Sequence, residues 1–113
     1  MISVEEALRR REAVRLRLLS SREGRVRPQR DDKILTDWNG LMIGQLAVAS
    51  QVFNEPRYLA AADRAADFVL RNCLTGDGNL LHRYRAGEAG IAGQLDDYAF
   101  LSYGLLELYQ VTG

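Results

Sequence analysis

One cysteine, two prolines, one histidine and one tryptophan stand among the 113 residues, and each scarcity closes a route. A lone Cys73 forms no internal disulfide. At a predicted helix end, beside Leu70 and Leu74, it reads as a small hydrophobe in a reducing, cytoplasmic setting. With His82 as the only histidine, neither a His-pair metal site nor a Cys–His nucleophile can be assembled from the chain, and no cofactor or metal is expected. So few prolines, and no Ser- or Gln-rich stretch, argue against disorder. No apolar run approaches the roughly 20 residues that span a bilayer, and the N-terminus lacks a basic, apolar, small-residue leader pattern. A formal net charge of zero gives no overall field toward nucleic acid or membrane, and neither is expected as a partner.

What is present is apolar and helical. At 47% apolar and 27% charged residues, the composition is that of a globular protein. Charge is unevenly placed. Residues 1–30 hold nine arginines against four glutamates, and the remainder holds eleven acids against six bases. A basic nucleic-acid arm and a solvated helix face leaning on an acidic neighbour both fit this asymmetry, and the lack of interleaved aromatics favours the second.

Periodicity predicts four helices in one all-α domain spanning 1–113, at about 3–21, 37–53, 56–73 and 97–111. Ser3 and Glu6 form a capping box at the first, and Val4, Ala7, Leu8, Val14 and Leu18 form its apolar stripe. Residues 23–35 read as a long connecting loop. The second and fourth helices are apolar nearly all round and are expected to be buried on all sides, whereas the third is amphipathic. Between the third and fourth, 80–94 reads as a small β-hairpin.

The two apolar helices repeat each other. Asp37-Trp38-x-x-Leu41-x-x-Gly44-x-Leu46 matches Asp97-Tyr98-x-x-Leu101-x-x-Gly104-x-Leu106, always 60 residues apart. Such an interval is the length of a helical hairpin with its loops. Alternating buried and amphipathic helices then predict two hairpins of an α/α toroid, with an open solenoid as the alternative.

Two stretches carry a family likeness. Arg27-Pro28-x-x-Asp31-Asp32-Lys33-Ile34-Leu35-Thr36-x-Trp38-Asn39-Gly40-Leu41-Met42-Ile43 is one, and Leu95-Asp96-Asp97-Tyr98-Ala99-Phe100-Leu101 with Gly104-Leu105-Leu106-Glu107-Leu108-Tyr109 is the other. Together they resemble signatures of the thioredoxin-domain-containing family that includes the spermatogenesis-associated proteins, and the likeness runs from about residue 5 to the end. The resemblance implies a thioredoxin-like domain followed by a six-hairpin toroid similar to those of glycosidases and N-acylglucosamine 2-epimerases, of which this chain would cover about two hairpins. The thioredoxin-like part and its C-x-x-C motif are absent from these residues, which puts redox activity out of their reach.

In a toroid, loops entering the inner helices line the cavity. That makes Asp32, Asp37 and Asp97 candidate catalytic residues, and Asp31, Lys33, Trp38, Asn39, Asp96 and Tyr98 candidate substrate-binding ones. The likeness to epimerase-type toroids adds His82 of the hairpin as a proton-shuttling catalytic candidate, with Arg83 beside it as a binding one, and a plain surface or core histidine is the alternative reading of His82. Paired carboxylates and aromatic rings suit a sugar, so a hydrolase or epimerase-like activity on carbohydrate is one expectation, needing the missing repeats. The other is a non-catalytic packing or interaction module, in which Asp37 and Asp97 only cap helices and a salt bridge from Lys33 or Arg83 satisfies the acidic loop. Cutting two hairpins from a ring leaves apolar flanks, so a homo-oligomer is expected unless the missing toroid repeats cover them.

Overall fold

A computed structural model describes every residue, 1–113. It divides into two compact units, Met1–Asp31 and Asp32–Gly113.

The first unit is essentially one helix, α1 (Val4–Glu23), whose start is capped by the Ser3 hydroxyl accepting the Glu6 N–H at 3.1 Å. Its expected apolar stripe is not a buried one: Val4, Leu8, Val14 and Leu18 are all exposed, and no residue of the helix is buried. Local ion pairs along the helix, Glu6 with Arg9 and Arg10 and Glu12 with Arg15, add to the cap's support. A surface concavity of about 490 Å³ follows it, lined by residues 22 and 25–30, four of them arginines.

The second unit holds β1 (Ile34–Leu35), α2 (Thr36–Val52), α3 (Pro56–Asn72), β2 (Leu81–Arg85), β3 (Glu88–Ala92) and α4 (Leu95–Thr112). The chain is therefore mostly helical with a small antiparallel sheet. The hairpin expected at 80–94 is present as β2 and β3, turned through Ala86 and Gly87, both at positive φ. A third strand, β1, was not legible: two residues at the end of the presumed loop pair with β2, Ile34 with Tyr84 and Leu35 with Arg83. Strand order is β1-β2-β3.

Why α2 and α4 lie so close follows from their glycines. A Cβ placed on Gly104 would sit 2.1 Å from the Gly40 carbonyl oxygen, and one on Gly40 would sit 2.5 Å from the Leu101 nitrogen. Backbone therefore meets backbone, with Gly44 one turn further along against the Tyr103 ring. Start lies beside start, so the two helices run parallel. α3 packs back on α2 through Ala62, Ala66 and Val69, closing a core with Ile43, Ala47, Cys73, Leu80, Leu101 and Leu108.

The expectation that α2 and α4 are buried on all sides does not hold for this chain. α2 buries Thr36, Gly40, Ile43, Gly44, Ala47 and Ser50, and α4 buries Asp97, Leu101, Gly104 and Leu108. Met42 and Val52 on the one, with Phe53 just past its end, and Leu95, Leu106 and Tyr109 on the other, remain exposed. Within these residues α2 is packed by α3 and α4, and α4 mainly by α2, so each keeps an uncovered side.

Candidate functional site

The parallel packing brings two helix starts and one strand to a common point. Thr36, the first residue of α2, is fully buried and donates its hydroxyl to the Leu81 carbonyl at 2.5 Å, tying the helix start to β2. The next residue along β2 is His82. From α4 comes Asp97, fully buried.

Asp97 joins all three elements. Its Oδ1 accepts the backbone N–H of Asp37 at 3.1 Å, and its Oδ2 accepts the N–H of Gln94 at 2.8 Å. One carboxylate thus caps its own helix and the start of the neighbouring one, where two positive dipole ends favour its charge. His82 Nδ1 lies 3.0 Å from each of the two oxygens, so its N–H donates to the carboxylate. The other ring nitrogen, Nε2, has no protein partner. No buried side-chain nitrogen or oxygen lacks a partner, so Nε2 is open to solvent.

Asp37 completes the cluster. It is half-buried, and one ligand atom each from Asp37, His82 and Asp97 lie within 4.8 Å of one another. Three such donors are a set that a divalent cation accepts. Against a cation stand the two positive helix ends, and the engagement of both Asp97 oxygens by backbone N–H groups. The hydrogen-bonded His–Asp pair is the better account of these contacts.

The remaining candidates take other places. Trp38 is 67% exposed, and Tyr98 accepts the Leu80 N–H on its hydroxyl at 3.0 Å. Asn39 donates to the Leu35 carbonyl at 2.9 Å, steadying the strand-to-helix turn. Asp96, Asp31 and Lys33 are exposed, and Arg83 sits in mid-strand opposite Leu35 and Gly90. Asp32 pairs with Arg85 Nε at 2.9 Å, three residues along β2 from His82 and so about 10 Å away by strand rise. The structure brings together Asp37, His82 and Asp97 and leaves Asp32 outside.

Reasoning from sequence missed Thr36 and Gln94. The spacing of Gln94 and Asp97, a cap residue and a carboxylate three positions on, was the available signal. Cys73 is buried against the same region. Burial pushes its thiol above the ordinary range, the nearby Asp97 charge adds to this, and a hydrogen bond with Thr36 partly offsets it.

Comparison with known proteins gives the same region a wider setting. No protein-family model matches the chain. The human protein named spermatogenesis-associated protein 20 is 33% identical over 105 residues, which cover 85% of this chain and 13% of that protein. The chain is homologous to one segment of it. The rat protein of the same name gives the same figures. An uncharacterized protein of Caenorhabditis elegans is 34% identical over 120 residues, covering 99% of the chain and 16% of its own length. The chain therefore spans less than a fifth of the curated relatives it matches.

Proposed function

We propose that the chain forms two hairpins of an α/α toroid and contributes a proton-transferring histidine to a carbohydrate-processing pocket of the glycosidase or N-acylglucosamine 2-epimerase kind. The observation that carries this reading is the fully buried Asp97 holding His82 Nδ1 at 3.0 Å while Nε2 faces solvent. A neutral imidazole fixed in that tautomer presents a lone pair at Nε2. It can take a proton from a substrate hydroxyl or from carbon, and the imidazolium that forms is stabilised by the Asp97 charge. Asp37 adds a second carboxylate beside the pair. Exposed Trp38, one residue on, and half-exposed Tyr98 supply apolar ring faces of the sort that pack on sugars. The 60-residue repeat, the parallel α2–α4 pair and the family likeness support the toroid.

A second reading rests on the same carboxylate. Two helix starts capped by one Asp97 make a structural staple, and a staple alone serves a packing or interaction module. An NMR titration of the chain with a panel of mono- and disaccharides separates the two. The sugar reading expects shifts at His82, Trp38 and Tyr98 for at least one sugar. It also expects binding weakened roughly five- to tenfold in His82→Gln, the worth of one hydrogen bond. No response across the panel would sink it and leave the staple.

A further inference from the structure

The backbone is strained at one place that no turn explains. Three residues other than glycine have positive φ: Asn54 at 49°, Ala86 at 52° and Ile91 at 61°. Asparagine adopts this conformation readily, and Ala86 needs it as the first residue of a two-residue hairpin turn. Ile91 has neither reason. It lies within β3, and a β-branched side chain in the left-handed region is a costly outlier of the kind that gathers at functional sites. Register puts it opposite His82. Leu81 pairs with Ala92 and Arg83 with Gly90, so His82 and Ile91 face each other between those pairs. Arg85 and Glu88 flank the turn as a hydrogen-bonded pair, and alternation from there makes 82 and 91 a non-hydrogen-bonded one.

Pairs of that kind bring the two Cα atoms to about 4.5 Å and put both side chains on one face of the sheet. An extended isoleucine at 91 would lie along the imidazole. His82 keeps the inward face, with Nδ1 on Asp97 and with Leu80 and Tyr84, two residues to either side, turned to the core. Ile91 breaks the pleat instead and is 53% exposed. We infer that Ile91 is a positioning residue of the His82 site: its left-handed backbone keeps the isoleucyl side chain off the ring and so holds open the approach to Nε2. This deepens the proton-transfer reading and rests on it for its purpose, since the opened space is where a substrate hydroxyl or carbon would give up its proton.

Acylation of the ring tests the opening with no sugar present, so a silent sugar panel and a failed inference are distinct results. The Nε2 lone pair attacks a carbonyl carbon of diethyl pyrocarbonate, forming an N–C bond and expelling ethyl carbonate. Ultraviolet absorbance of the product reports His82 alone, because the chain has no other histidine. Ile91→Asn suits the left-handed turn and should react at the parent's rate. Ile91→Pro fixes φ at about −65°, and it costs no ladder bond at a non-hydrogen-bonded position of an edge strand. It should react several-fold more slowly, with circular dichroism unchanged. A folded Ile91→Pro chain that reacts at the parent's rate overturns the inference, and so does an Ile91→Asn chain that is slowed. An NMR coupling constant placing Ile91 of the parent at negative φ overturns it as well, whether or not the proline variant folds.

Discussion

Gly104→Ala destabilises the protein by about 3 kcal/mol or more, although alanine in place of glycine within a helix ordinarily adds roughly 0.5–1 kcal/mol. The reversal of sign is the point. The new Cβ would stand 2.1 Å from the Gly40 carbonyl oxygen, and that obstacle is backbone. Relief requires α2 and α4 to separate along their length, which loosens Ile43, Ala47, Leu101 and Leu108 together. Gly44→Ala makes a control of milder severity, since its Cβ meets the Tyr103 ring at 2.6 Å and a side chain can swing aside. Urea unfolding of the two variants reads the order directly. A Gly104→Ala chain as stable as the parent would mean that the helices do not cross there.

Asp97→Ala costs about 3–5 kcal/mol by the same measurement. It strips an acceptor from the part-buried N–H groups of Asp37 and Gln94, where a donor left unsatisfied costs up to about 1–3 kcal/mol. It also removes the charge that answers two helix dipoles and the partner of His82. His82→Gln leaves both backbone bonds in place and should cost far less, so the two variants divide the staple from the base. Equal losses in both would show that the histidine contact, not the double cap, holds the helix starts together.

Much of this was legible in the residues. The repeat of Asp37-Trp38 and Asp97-Tyr98 marked the two helices as equivalent. The helix bounds came within about two residues because the apolar periods are long and the turn residues clear. Other features were hidden for physical reasons. β1 is two residues long, too short to show alternation, and it exists only because β2 offers an edge. α1 has an apolar stripe by spacing, but a stripe says nothing about whether anything lies against it. The site was half-visible. Asp37 and Asp97 were named for their place at helix starts, and His82 for its place in the hairpin, but only the fold shows that one carboxylate serves two helices and the imidazole. Asp32 and Lys33 drew attention through charge density. The structure shows Asp32 engaged with Arg85, a partner whose distance in sequence gave no hint of the pairing.

The most direct test of the account is the protonation of the His82 ring, read by nitrogen-detected NMR at a pH where the imidazole is neutral. The account predicts a proton on Nδ1 and a bare lone pair on Nε2, with that preference lost in Asp97→Asn. A ring protonated on Nε2, or one whose tautomer is indifferent to Asp97→Asn, would contradict it.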